Sequence, residues 1–201
     1  EFSGKILRVD RIKAPRNVAA ITNAQDIYVV QLLLEDSQKV WVVVPKVPVG
    51  LPVGQALNQS GGATAILLHA PSNESMERRK GSMLAVAARL QWWPQTLFGK
   101  LGMDYGLFPS VVDGDSLRAL ESEAFYSSLF VSARQKEIPN GPPIDDKSLV
   151  ALLDPASDWL RLHRGHQIVL DGTVRRIVKV TVDSKRDQEI LGSDHYWEIF
   201  L

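Results

Sequence analysis

The chain has 201 residues, 45% of them apolar, which is enough to bury a core as one large domain or two small ones. Its 23 Lys and Arg balance its 23 Asp and Glu, so no global field draws it toward nucleic acid or an anionic membrane. The lack of cysteine excludes disulfides, thiolate metal sites and thiol nucleophiles, and apolar runs such as 40–44 and 65–69 fall far short of the ~20 residues of a membrane-spanning helix.

The first third alternates and is rich in β-branched residues, which predicts strands. Gly4-Lys5-Ile6-Leu7-Arg8-Val9 opens the chain. In 26–34, Tyr28, Val30, Leu32 and Leu34 share one face and Val29, Gln31 and Leu33 the other, both apolar enough to predict cover on each side. Glu35-Asp36-Ser37-Gln38 turns this strand into a hairpin with 39–44. Pro45, Pro48 and Pro52 with Gly50 and Gly54 force an irregular crossing. Residues 63–70 and 82–93 read as two more strands, separated by a charged loop over 73–80. Five short strands suit a small closed barrel over residues 1–93, with Tyr28, Val30, Val42, Ile66 and Val86 buried.

Residues 94–163 read as a helical and Pro/Gly-rich connector. Gly99, Gly102, Gly106 and Pro109 make a loop. Leu117, Leu120, Ala124, Phe125, Leu129 and Phe130 then follow helical spacing to near Gln135, with Asp115 or Ser116 as N-cap. Pro139-Asn140-Gly141-Pro142-Pro143 breaks the chain, and Asp145 to Ser148 caps a short helix over 149–153.

Residues 164–201 echo the opening. Gly165-His166-Gln167-Ile168-Val169-Leu170, then 174–182, then Asp194-His195-Tyr196-Trp197-Glu198-Ile199-Phe200-Leu201 repeat a Gly-led strand and a later Asp-x-Tyr strand. The first copy continues into 40–44, whereas the second ends at Leu201. A second module that starts here and stays incomplete is the expectation, with an open edge on its last strand that strand addition, including by a second copy, would fill. A start at Glu1 and not at Met implies a removed signal peptide, an upstream membrane anchor or a tag.

No hydrolase, zincin, P-loop or dinucleotide fingerprint is present. His163, His166 and His195 would hold a metal only by converging, and loop histidines are the ordinary alternative. Asp113-Gly114-Asp115 lacks the later ligands of a calcium loop and reads as a helix cap. No metal and no cofactor are expected. Trp92-Trp93-Pro94 reads first as the end of a core strand and second as a stacking or carbohydrate platform. Cations with aromatics on a strand face are the pattern of single-strand binding, which selects Arg175, Lys179, Tyr196 and Trp197 as candidate ligand-binding residues. Asp183, Asp187, Glu189, Asp194 and Glu198 cancel that charge and disfavour nucleic acid.

The phrases Leu101-Gly102-Met103-Asp104-Tyr105-Gly106-Leu107-Phe108, Glu121-Ser122-Glu123-Ala124-Phe125-Tyr126, Gly172-Thr173-Val174-Arg175-Arg176 and Asp194-His195-Tyr196-Trp197-Glu198-Ile199 resemble a group of uncharacterised exported proteins of planctomycete bacteria. The resemblance implies repeated oligonucleotide/oligosaccharide-binding (OB)-like modules behind an N-terminal membrane segment. Together these readings give a mainly β chain with an α connector: tandem OB-like small β-barrels, the second incomplete. The expected role is extracytoplasmic binding or scaffolding, facing a protein or an envelope polymer, without catalysis. A single-stranded nucleic-acid binder is the alternative.

Overall fold

A computed structural model describes residues 1–16, 19, 24–70, 82–112, 122–135, 143–154 and 157–201. The chain divides into two compact units, Glu1–Gln95 with Asp104–Pro109, and Thr96–Met103 with Ser110–Leu201. The protein is mainly β with a few helices, and no helix among the described residues is long and apolar enough to cross a membrane.

The first unit holds β1 (Phe2–Lys13), β2 (Asp26–Leu34), β3 (Lys39–Val44), β4 (Ala56–Ala63), β5 (Ala65–His69), β6 (Met83–Ala87) and β7 (Gln91–Trp93). They form one mixed sheet in the order β5-β6-β3-β2-β1-β4-β7, in which β3 and β6 are parallel and the other neighbours antiparallel. Residues directly opposite in a ladder share a face, so the registers sort the side chains. Ile6, Leu32 and Val40 form one fully buried row, and Val9, Val30, Val42 and Ala85 form the next. Each such aliphatic side chain is worth roughly 1.5–3 kcal/mol of burial.

A bulge makes these rows possible. Both ladders of β1 shift register between Ile6 and Arg8: against β2 the extra residue is Leu7, and against β4 it lies on β4, between Gln59 and Ala56. Strict alternation from Ile6 would turn Arg8 inward and Val9 outward. The inserted residue reverses the phase, so Val9 is fully buried and Arg8 is exposed. The Pro-rich crossing is then tied to β1, because Gly54, at φ 82°, donates its N–H to the Val9 carbonyl at 2.7 Å.

The expected strand over 63–70 is in fact the end of β4 and all of β5. The polar start of β4 hides it from an apolar pattern, and only Thr64 separates two pieces that pair with different strands, β4 with β1 and β5 with β6. Residues 82–93 likewise split into β6 and β7 around buried Leu90. Val30 and Val42 are buried as expected and Tyr28 is half-buried. Ile66 and Val86, expected inside, are 72% and 40% exposed. They oppose each other in the β5–β6 ladder, so one facing error moves both. The ladders of the described residues end at β5 and β7 and do not close a barrel.

The segment Asp104–Pro109 packs back on β7. One Asp104 carboxylate oxygen accepts the N–H groups of Trp92 at 2.9 Å and Gly106 at 2.7 Å, and Arg89 lies 3.5 Å from the other. Tyr105 meets the buried Trp92 ring edge-on, and a Cβ on Gly106 would collide with the Leu90 carbonyl.

The second unit contains α1 (Leu97–Lys100), α2 (Ser122–Ala133), α3 (Asp146–Leu153), α4 (Trp159–His163), β8 (Arg176–Thr181), α5 (Lys185–Leu191) and β9 (His195–Phe200). The predicted central helix is α2; its expected N-cap at Asp115 or Ser116 lies outside the described residues, as do Asp113-Gly114-Asp115, residues 136–142 and the charged loop over 73–80. The second short helix starts earlier than 149, at Asp146, because Asp145 accepts the Ser148 N–H at 2.7 Å and caps it. The Gly-led run 165–170 is not a strand; it makes a single bridge, Val169 to Pro143. β9 pairs with β8 instead, and among the described residues it has no strand on its other side. The echo in sequence therefore does not extend to the ladders: β1 pairs directly with β2, whereas 165–170 pairs with no strand.

Val42→Asp places a carboxylate in the fully buried row and should cost several kcal/mol, about enough to unfold the first unit. Ile66→Asp, on the exposed face, should change the thermal midpoint by at most a few degrees; equal losses in the two variants, followed by circular dichroism, would contradict the facing described here. The Ser148 side chain and backbone hold the Asp145 carboxyl below its ordinary value. Its contribution is therefore present above the unfolded carboxylate pKa of about 3.9 and lost as pH falls through the lower folded value. Asp145→Ala should remove this acid-side loss and fray α3 at neutral pH, measured as helical ellipticity against pH.

Candidate ligand-binding face

Of the four residues selected from sequence, two come together. Lys179 and Trp197 oppose each other directly in the β8–β9 ladder, with Trp197 57% exposed. His195 shares that face, its ring 6.2 Å from Trp197. Tyr196 projects from the opposite face, 5.4 Å from Phe125 and 6.3 Å from Tyr126 of α2, and its hydroxyl donates to Glu198 at 3.2 Å. Burial first, then the Glu198 charge, pushes the Tyr196 hydroxyl above its usual pKa. It serves packing. Arg175 lies just before β8, where its backbone N–H donates to the Phe200 carbonyl at 2.7 Å. The neighbouring Arg176 is 4.3 Å from the centre of the Phe200 ring. The four residues therefore form no single binding surface.

The histidines divide as well. His163 stacks on Trp159 at 4.1 Å, donates from Nδ1 to the Trp159 carbonyl at 2.8 Å, and meets the His166 ring edge-on at 5.5 Å. His195 Nδ1 is bonded to Asp194 at 2.6 Å, which lowers the Asp194 carboxyl pKa. Among the described residues no three His, Asp or Glu side chains gather as a metal-ligand set.

The first unit assembles a stronger constellation on the face opposite its buried rows. Lys39, Leu33, Lys5, Ser60 and Trp93 stand in one registered row across β3, β2, β1, β4 and β7. The next row along the same face is Leu84, Trp41, Gln31 and Arg8. Trp92 and Trp93 are separated by strand alternation: Trp92 is 7% exposed and turns into the core, while Trp93 stays half-buried on the outward face. The second reading of the Trp-Trp-Pro run thus fits Trp93 alone.

This row borders a hollow of about 310 Å3, lined by Ser3, Gly4, Lys5, Leu33, Leu34, Glu35, Ser60 and Trp93. Lys5 Nζ donates to Ser60 Oγ at 3.0 Å, which ties the ammonium to the strand between Lys5 and Trp93 and leaves its other protons for a ligand. Glu35 enters from the β2–β3 turn, whose shape follows from Ser37 at φ 66° and the Leu34 N–H to Gln38 carbonyl bond at 2.9 Å. The positive charge of Arg8 is answered locally, since its Nε lies 2.8 Å from both Asp10 oxygens. The hollow therefore offers a cation, a carboxylate, hydroxyls, an indole and an aliphatic floor.

Sequence reasoning missed this site because its members lie far apart in the chain and meet only through register. The local signal was the aromatic pair at 92–93, whose alternation required one ring to face outward.

No protein-family model, curated protein or solved structure matches the chain.

Tyr196→Ala should destabilise the second unit by about 2 kcal/mol, the cost of deleting a partly buried aromatic side chain. Trp197→Ala should stay within about 0.5 kcal/mol, as for exposed sites. Urea unfolding of the two variants measures the contrast, and the reverse order would invert the assignment of the two faces of β9.

Proposed function

We propose that the chain is a non-catalytic binding or scaffolding protein acting outside the cytoplasm, and that its first unit holds a linear envelope polymer across the outward face of an OB-like module. The observation that carries this reading is the registered row of Lys39, Leu33, Lys5, Ser60 and Trp93, a strip of alternating chemistry that follows the sheet and ends in the hollow. Its groups bind by donation, stacking and apolar contact.

Topology supports the OB-like element. With β4 and β5 taken as one bent strand broken at Thr64, the pairings run β1 to β2, β2 to β3, β3 parallel to β6, β6 to β5 and β4 back to β1. That is the pairing order of a five-stranded, partly open Greek-key barrel. Extracytoplasmic placement and a planctomycete kinship rest on the phrases of resemblance in the sequence. On the same reading, the edge of β9 that carries no strand among the described residues adds a second copy of the chain by strand pairing.

A single-stranded nucleic-acid binder is the second reading, favoured by Trp41 and Trp93 on the same face as Lys5 and Lys39. Two observations weigh against it: Asp10 engages Arg8, and Glu35 lines the hollow beside Lys5.

Calorimetric titration of the 201-residue protein with soluble cell-envelope glycan fragments should show saturable binding that weakens about tenfold in the Lys5→Ala, Lys39→Ala double variant. Oligo(dT) should bind weakly or not at all at physiological salt. Micromolar oligo(dT) binding with a steep salt dependence would reverse the order of the two readings.

A further inference from the structure

The geometry points to the hollow beside Trp93 as a subsite for a single neutral sugar ring, which rests on the binding-module reading above and deepens it. We infer this from the charge balance of the lining and the placement of its one aromatic wall.

The two ionic side chains that line the hollow are Lys5 and Glu35, one of each sign. A phosphate or carboxylate attracted by Lys5 would also meet the Glu35 carboxylate; both groups are exposed, so this repulsion is modest and weakens with salt, but it offsets the attraction of Lys5. A cationic ligand meets the reverse conflict. Sugar hydroxyls satisfy both groups without penalty, because each hydroxyl donates and accepts: one can accept from the Lys5 ammonium while another donates to Glu35. Ser60 Oγ, already accepting from Lys5 at 3.0 Å, keeps its own proton to donate and so extends the same network.

The apolar surfaces fit the same occupant. Trp93 is half-buried, so its indole is held in place by the sheet and still borders the hollow. A pyranose ring has a face of C–H groups that packs on an indole, with its hydroxyls directed to the rim. Leu33 lies in the same registered row on the far side of Lys5. At about 310 Å3 the hollow sits at the lower end of small-molecule sites, roughly 300–1,000 Å3, which admits one ring and not a branched cluster. The row extends past the hollow from Leu33, which lines it, to Lys39 on β3, the direction in which a chain of sugars would continue.

The test uses the full chain with three soluble probes: neutral oligosaccharides (cello-, malto- and chito-oligomers), an anionic oligogalacturonate and oligo(dT). Calorimetry reads affinity, and the Trp93 indole resonance, assigned from the spectrum of Trp93→Phe, reads location. The expected result is that at least one neutral oligomer binds and shifts that resonance. Trp93→Ala should then lose about tenfold or more in affinity, as for a central aromatic contact, while Trp93→Phe, which keeps a ring, loses less. Glu35→Gln should weaken the neutral oligomer moderately and strengthen the oligogalacturonate, because it removes the repelling charge. Thermal midpoints of all variants establish folding, and the wild-type resonance shift locates the ligand even if Trp93→Ala unfolds.

If only the oligogalacturonate or oligo(dT) shifts Trp93, the inference is overturned while the face still binds a polymer. Neutral binding that leaves the Trp93 resonance unmoved overturns the location. Failure of all probes, and of the envelope fragments, overturns this inference and the binding-module reading together.

Discussion

The bulge at Leu7 is the constraint on which the first unit depends. β1 is flanked by β2 and β4, so both of its ladders must accommodate the phase change between Ile6 and Arg8. Without the extra residue a guanidinium would enter the core at Arg8 and an isopropyl group would be lost from it at Val9. A one-residue slip exchanges the faces of a whole strand, and the penalty for burying an unpaired cation far exceeds that for interrupting one ladder bond. The same phase change sets the outward face: Lys5 before the bulge and Arg8 after it both stand away from the core. The facing of the core and of the outward row are thus two results of one change of phase.

The alternation over 26–34 and 39–44 was legible because both strands lie between neighbours and carry long apolar runs. It specified period and pairing. It did not specify facing for Ile66 and Val86, since both faces of those short strands are apolar and only the ladder to β3 decides between them. The first part of β4, Ala-Leu-Asn-Gln-Ser, carries no apolar alternation; it is a strand because β1 offers it a partner. In the second unit the run 165–170 had the composition of a strand but gained only one bridge, while 176–181 found β9. Pairing is a property of two segments, and a single segment cannot declare it.

The candidate residues followed the same rule. Lys179 and Trp197 meet because they are register partners, whereas adjacent Tyr196 faces α2, as strand geometry requires of neighbours in sequence. Proximity in the chain was a poor guide to a shared surface. Lys5, Ser60 and Trp93, with no local pattern joining them, occupy three adjacent strands at one level of the sheet. The charge balance of the whole chain recurs at small scale in the lining of the hollow, where Lys5 and Glu35 supply one charge of each sign.

The return of Asp104–Pro109 to the first unit bears on synthesis of the chain. A polypeptide emerging vectorially can lay down β1 to β7 once Trp93 is clear, but the Trp92 N–H and the exposed edge of its ring acquire Asp104 and Tyr105 only later. During that interval the nascent sheet carries an unsealed aromatic margin, and release or cleavage before Pro109 would leave it so. The first unit is therefore finished by residues that lie, in chain order, beyond the opening stretch of the second unit. In chain order the first unit is complete at Pro109, not at Gln95.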